Sequence, residues 1–108
     1  GPLVLPERAD RVVISDEDPV KGTVRIEDPA EIEKIRADLA GLSKVPPEAG
    51  CPPDTRRLRV AFLDAGYKVL AILLLGVPKG CGEATSSLGG RVTATAEIWT
   101  SLNKRVSR

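Results

Sequence analysis

The sequence predicts an α+β domain in which an antiparallel sheet of four or five strands carries two helices, in the order β-β-α-β-β-(β)-α. Apolar residues recur at helical spacing in two segments, and they alternate or run together in short β-rich segments between Gly- and Pro-containing turns. The chain has 108 residues, of which 42% are hydrophobic, which fits one core. We expect an extended N-terminal segment over residues 1–10 and a single domain over residues 11–108.

The first half of the chain predicts two strands and a helix. Residues 11–15 and 23–27 are short β-rich runs on either side of an acidic turn. Asp28-Pro29-Ala30-Glu31 combines a capping Asp, a Pro at the first helical position and a Glu three residues after the cap, which is typical of a helix start. Apolar residues then recur at helical spacing, so we expect a helix from Pro29 to Ala40 with Gly41 as its stop.

The second half predicts a hairpin, a loop, an edge strand and a second helix. Large apolar residues at 58, 60 and 62 alternate with Arg59 and Ala61 as in a half-buried strand, Asp64-Ala65-Gly66 signals a turn, and residues 67–75 are β-rich. The hairpin turn is therefore expected near Ala65-Gly66. Residues 85–90 are small and polar, which indicates a loop, and residues 91–94 form a fifth strand at the edge. Residues 96–106 place their apolar side chains on one helical face, which predicts the second helix.

Composition excludes several classes of function. Sixteen Lys and Arg residues against 15 Asp and Glu residues give a net charge of +1, without the basic field that nucleic-acid binding requires. Histidine is absent, which removes Ser-His-Asp and Cys-His catalysis and His-ligated metals. We therefore expect no catalytic residues, no cofactor, no metal and no nucleic acid. The longest apolar run, residues 69–77, is too short for a transmembrane segment.

Two groups of charged residues are interpreted as solvent-exposed. Asp16, Glu17 and Asp18 lie together but lack the Gly and terminal Glu of an EF-hand loop, which predicts a solvated acidic turn. Arg57, Arg59 and Lys68 lie on adjacent predicted strands, where they could share a sheet face. A solvated basic face is the favoured interpretation, with an anion site as the alternative.

Two cysteines, Cys51 and Cys81, lie on opposite sides of the predicted hairpin. A turn near Ala65-Gly66 brings them toward each other as the ladder continues, and this arrangement favours a disulfide. Two structural thiols in a cytosolic protein are the alternative. A disulfide would favour an oxidising compartment, because disulfides rarely persist in the cytosol.

The strand at residues 67–75 has apolar residues on both faces. A sheet that carries helices on one side normally shows polar residues on the other, so something should cover the second face. The candidates are the second helix, the N-terminal residues 3–5, and a partner molecule, either a homodimer mate or another protein. One face holds Tyr67, Val69, Ala71, Leu73 and Leu75, and the other, a candidate partner face, holds Leu70, Ile72 and Leu74.

A set of motifs between about residues 20 and 105 resembles a family of small secreted or lipoprotein-like domains of actinobacteria. The motifs are the Asp28-Pro29-Ala30 helix start, Cys51-Pro52-Pro53-Asp54 before the hairpin, Gly80-Cys81 after it, and a closing helix that bears Trp99. The resemblance implies an extracytoplasmic location and the Cys51–Cys81 disulfide, and it implies no particular activity.

The Cys-Pro that opens a disulfide loop is also similar to the Streptomyces subtilisin inhibitor family, whose members are secreted domains with an antiparallel sheet and two helices. This similarity implies a protease-contacting bond at Pro53-Asp54. The chain departs from that family in two ways. It lacks the second disulfide, and it has a proline beside the bond, which few serine proteases accept.

The sequence therefore predicts a non-enzymatic secreted or cell-surface domain that acts as a protein-interaction or structural module. The alternative is a protease inhibitor with Pro53 and Asp54 as its contact residues. We expect a secreted or extracytoplasmic location, with a lipid anchor in a segment before Gly1 as one means of attachment. A protein partner or a second copy of the chain is the expected binding partner.

Overall fold

The α+β class is confirmed by a computed structural model, which describes residues 1–17, 22–46, 56–78 and 81–106. Within these residues the sheet has six strands, one more than the largest number expected. The additional strand includes residues that the sequence assigned to a loop. The elements are β1 Arg11–Asp16, β2 Thr23–Ile26, α1 Pro29–Ala40, β3 Arg57–Leu63, β4 Val69–Gly76, β5 Glu83–Ser86, β6 Arg91–Thr93 and α2 Ala96–Val106.

The described strands form one antiparallel sheet in the spatial order β2-β1-β3-β4-β5-β6. The β3–β4 hairpin pairs Leu58 with Leu75. The Asp64 amide donates to the Lys68 carbonyl at 3.0 Å, so the turn is centred slightly further along the chain than predicted. A bulge follows the turn, because Leu63 pairs with Val69 whereas Phe62 pairs with Ala71. Because the bulge adds one residue to β4, Val69 points onto the opposite face from Ala71, whereas regular alternation would place both on the same face.

One face of the sheet and one side of each helix form the core. On β3, Leu58, Val60 and Phe62 are fully buried, and their cross-strand partners on β1 and β4 point to the same side. Both helices cover this face, and their contributions to the core are Ile32, Ile35, Leu39, Leu102 and Val106. No helix within the described residues is long and apolar enough to cross a membrane.

Both helices begin and end where the sequence predicts. The Asp28 carboxylate accepts a hydrogen bond from the Glu31 amide at 3.1 Å, and Pro29 occupies the first turn of α1. The Gly41 amide donates to the Ala37 carbonyl and closes the helix. At the start of α2, Thr95 accepts a hydrogen bond from the Ile98 amide at 3.3 Å. Local capping therefore sets the bounds of α1 and the start of α2.

The N-terminal residues pack on the helix side of the sheet. Leu3 is part of the core, and the Val4 amide donates to the Gly89 carbonyl at 2.9 Å. This close approach requires a glycine at position 90. Its φ is +97°, and a Cβ atom there would overlap the Pro2 carbonyl and lie 2.7 Å from the Leu3 Cα. The chain segment before β1 is thus held against the turn between β5 and β6.

Candidate protein-interaction surface

The face of the sheet that is turned away from the helices, called the helix-free face, carries a strip of apolar side chains. Val13 on β1, Ala61 on β3 and Ile72 on β4 lie directly opposite one another. Leu74 lies two residues further along β4 and points to the same side. Val13, Ile72 and Leu74 are half-buried, and Ala61 is buried although it lies outside the core cluster.

The two intramolecular covers considered from the sequence are wrong for the described residues. Leu102 and Val106 of α2 pack in the core, and so does Leu3 of the N-terminal segment. Both elements therefore lie on the opposite face from Ile72 and Leu74. Leu70 is half-buried as well. The assignment of Leu70, Ile72 and Leu74 to a partner face stays a prediction.

Arginine side chains border the apolar strip. Arg25 pairs with Val13 and Arg59 pairs with Ser15, so both arginines point onto the helix-free face and both are exposed. Neither forms an ion pair with another described residue. The apolar strip thus has an uncompensated positive charge on β2 and another on β3.

Three further arginines of this face are neutralised by glutamates. Their nitrogen–oxygen distances are 2.6 Å for Arg11–Glu27, 2.7 Å for Arg57–Glu17 and 2.7 Å for Arg91–Glu83. The side-chain hydrogen bond to Glu83 raises the pKa of Arg91 above its usual range. Arg57 and Arg59 lie two residues apart on β3 and therefore share a sheet face, as predicted. Lys68 lies in the turn that precedes β4.

Tyr67 lies over one end of the helix-free face. Its ring centroid is 4.2 Å from the guanidinium carbon of Arg11 and 5.9 Å from that of Arg25. The residue is 54% exposed and has a φ of +67°, the left-handed conformation that side chains rarely adopt. The sequence placed Tyr67 and Val69 on the same face as Ala71. That expectation is wrong, because the bulge pairs Val69 with Leu63 on the helix-free side.

The strain at Tyr67 can be measured with a pair of variants. Tyr67→Gly and Tyr67→Ala both remove the ring and its contacts with the arginines, which are worth about 0.5–1 kcal/mol at exposed sites. Only glycine also relieves the left-handed conformation, so we expect Tyr67→Gly to be more stable than Tyr67→Ala by about 1 kcal/mol. Urea denaturation would measure the difference. An alanine variant at least as stable as the glycine variant would mean that position 67 is not strained.

A second cluster lies under α2, on the helix side of the sheet. The Arg56 Nε donates to the Asp16 Oδ2 at 2.8 Å, and the Arg56 Nη2 donates to the Asn103 Oδ1 at 2.8 Å. The guanidinium carbon also lies 5.1 Å from the Trp99 ring centroid. The side chain of Asp16 is 0% exposed. The predicted solvated acidic turn is therefore wrong for Asp16, which ties β1 to α2, and right for Glu17, which is exposed.

A depression of about 560 Å³ lies beside α2. Arg105 lines it, but its Nε donates to Glu31 at 2.9 Å and its Nη1 donates to the Ser101 carbonyl at 2.9 Å. The depression is thus a helix surface crossed by an ion pair and a hydrogen bond of Arg105. Within residues 1–17, 22–46, 56–78 and 81–106, no three Cys, Asp or Glu residues are grouped as metal ligands.

Several predicted residues lie outside the described part of the chain. They include Cys51, so its pairing with Cys81 stays a prediction although Cys81 itself is described beside β5. The contact residues of the inhibitor alternative, Pro53 and Asp54, are also outside it, as is Asp18 of the acidic turn.

Comparison of the chain with protein-family models, with curated proteins and with solved structures finds no match. The candidate surface therefore has to be interpreted from its own geometry and chemistry.

Proposed function

We propose that this domain is a non-enzymatic, extracytoplasmic protein-interaction module that binds a partner protein on its helix-free face. The observation that carries the proposal is the apolar strip of Val13, Ala61, Ile72 and Leu74. At its border lie Arg25 and Arg59, which have no acidic partner among the described residues. Protein interfaces combine an apolar centre with arginine and tyrosine anchors, and the strip together with Arg25, Arg59 and Tyr67 around it has this composition. The extracytoplasmic location rests on the predicted Cys51–Cys81 disulfide.

Charge favours a different protein over a second copy of this chain. In a two-fold dimer formed by this face, the same surface would meet itself, and its five arginines against three glutamates among the described residues would bring together two surfaces of net positive charge. Like charges at an interface oppose association, whereas carboxylates on a partner would pair with Arg25 and Arg59. The expected partner therefore has an apolar patch bordered by Asp or Glu residues.

The strained tyrosine adds an independent argument. A glycine at position 67 would form the same turn without the left-handed penalty, yet the chain carries an exposed aromatic ring there. Strained residues are concentrated at binding sites, where the side chain is needed for contact. Tyr67 extends the apolar strip toward Arg11 and is expected to contact the partner.

Site-specific photo-cross-linking from position 72 would test the proposal in the producing cell. We expect adducts with a protein that do not form from position 45, since Val45 is also apolar and is 77% exposed but follows Lys44, whose carbonyl bonds to the outer edge of β6. The cross-linked protein would then be purified and its affinity measured. Ile72→Asp and Arg59→Glu should each weaken binding by about tenfold or more, and Val45→Asp should leave it unchanged.

Three results would overturn this assignment. One is the same set of adducts from positions 72 and 45, which would indicate non-specific contact. Another is adducts formed only with a second copy of the chain, which would make the face a dimer interface. The last is a purified partner that binds the Ile72→Asp and Arg59→Glu variants as tightly as it binds the original protein.

A further inference from the structure

The two edges of the sheet differ in how their backbone groups are satisfied. At the β6 edge, the Arg91 amide donates to the Gly1 carbonyl at 2.9 Å, and the Thr93 amide donates to the Lys44 carbonyl at 2.8 Å. These bonds occupy the outward amides of a strand that is only three residues long. An additional strand therefore finds no free donors there.

The β2 edge presents free backbone groups. The Asp16 amide donates to the Gly22 carbonyl, and hydrogen-bonded pairs alternate along an antiparallel ladder, so Val24 and Ile26 bond to β1. The amides and carbonyls of Thr23 and Arg25 consequently point away from the sheet. Within the described residues, no backbone group on that side bonds to them. This edge can accept two pairs of hydrogen bonds from an added strand.

The side chains on this edge select for negative charge. Thr23 and Arg25 both point onto the helix-free face and are exposed. The residue of an added strand that lies opposite Arg25 would have its Cβ about 5 Å away, within reach of an ion pair. A cation on an edge strand discourages pairing with basic segments, and it leaves pairing with acidic segments favourable.

We propose that β2 binds an extended acidic segment of the partner protein by strand addition, with a carboxylate of that segment placed opposite Arg25. This inference rests on the proposed function, because the segment belongs to the partner that docks on the adjoining helix-free face. The added strand would lengthen the sheet beyond β2 and widen the surface that contacts the partner. Backbone hydrogen bonds to Thr23 and Arg25 would hold the segment, and Arg25 would set its charge preference.

Peptide titration followed by amide NMR would test the edge without the partner. The probes are two end-capped peptides of about eight residues, one alternating Val with Glu and the other alternating Val with Lys. We expect the Glu peptide to shift the amide resonances of Thr23 and Arg25, and to bind about tenfold more tightly than the Lys peptide. Arg25→Glu should reverse this preference, which a purely structural role of Arg25 would not do.

A backbone variant separates strand addition from charge attraction alone. Thr23→Pro removes an outward amide, and proline is tolerated on edge strands because that amide takes no part in the ladder with β1. It should weaken binding of the Glu peptide by about fivefold or more through the lost hydrogen bond. Unchanged binding by Thr23→Pro, equal affinity for the two peptides, or no shift at Thr23 and Arg25 at millimolar peptide would each overturn the inference.

The outcomes also distinguish this inference from the proposed function. Peptide-induced shifts confined to Ile72 and Leu74 would refute the edge site and leave docking on the helix-free face intact. Shifts at Thr23 and Arg25, together with failure of the cross-linking from position 72, would refute the face and leave the edge as the binding site.

Discussion

Phe62→Ala is expected to lower the free energy of unfolding by about 3–5 kcal/mol. Phe62 is fully buried on β3 and lies between Val12 of β1 and Ala71 of β4. Alanine would leave a cavity beneath the helices that the neighbouring strands cannot close without breaking the ladder. Because small domains have about 5–15 kcal/mol of stability, the variant should lose between a fifth and most of it and unfold at a clearly lower urea concentration. Urea denaturation followed by circular dichroism would measure the loss.

Leu74→Ala provides the matched control on the other face of the same hairpin. Leu74 is half-buried and points away from the helices, so we expect less than half of the loss seen for Phe62→Ala. Equal losses for the two variants would contradict the assignment of the helix-free face, because they would mean that Leu74 is as completely buried as the core.

Asp16→Ala is the second substitution with a large expected effect. Loss of the Asp16 carboxylate would break its ion pair with the Arg56 guanidinium beneath α2. Breaking a buried ion pair by removing one partner typically costs about 3–5 kcal/mol. We expect the lower end of that range, because the Arg56 side chain is 29% exposed and water can reach it. The single tryptophan, Trp99, lies beside Arg56, so its fluorescence should report the loosening of α2.

The neighbouring residue supplies the control for Asp16→Ala. Glu17 pairs with Arg57 at 2.7 Å, but both side chains are more than two-fifths exposed. Solvent-exposed ion pairs contribute about 0–1 kcal/mol, so Glu17→Ala should change stability little and leave Trp99 fluorescence unaltered. A loss of stability for Asp16→Ala no larger than that for Glu17→Ala would show that the cluster under α2 does not hold the helix to the sheet.

The helices could be predicted from the sequence because their signals are local. Asp28 and Pro29 determine the start of α1 within one turn of chain, and the spacing of Ile98, Trp99 and Leu102 identifies the buried side of α2. Such signals depend on neighbours three or four residues away, and no distant contact opposes them here.

The strand β5 could not be predicted in the same way. Glu83–Ser86 contains one apolar residue, Ala84, and resembles the small polar loop that follows it. It forms a strand because β4 and β6 lie on either side and satisfy its backbone, with Ala84 opposite Leu75 and Val92. Tertiary pairing therefore decides its conformation, which local propensity does not reveal.

The candidate surface could be predicted only in part. The apolar residues Ile72 and Leu74 stand out in the sequence because they break the expected alternation of β4. Arg25 and Tyr67 do not, because the first reaches this face through pairing across β1 and the second through a bulge next to its turn. The burial of Asp16 was missed for a similar reason. Its partner Arg56 is 40 residues away in the sequence, and charge alone predicts exposure.

The carbonyls of Gly1 and Lys44 bond to the outward amides of β6 and so limit the assemblies that this domain can form by edge pairing. A sheet with two open edges can recruit copies of itself at both ends and grow into a fibre. Among the described residues, β2 is the edge left for pairing, so two copies joined at their β2 strands would have closed β6 edges at both ends of the combined sheet. Edge pairing between copies would therefore stop at a dimer, and unpaired backbone at β2 would not seed a polymer.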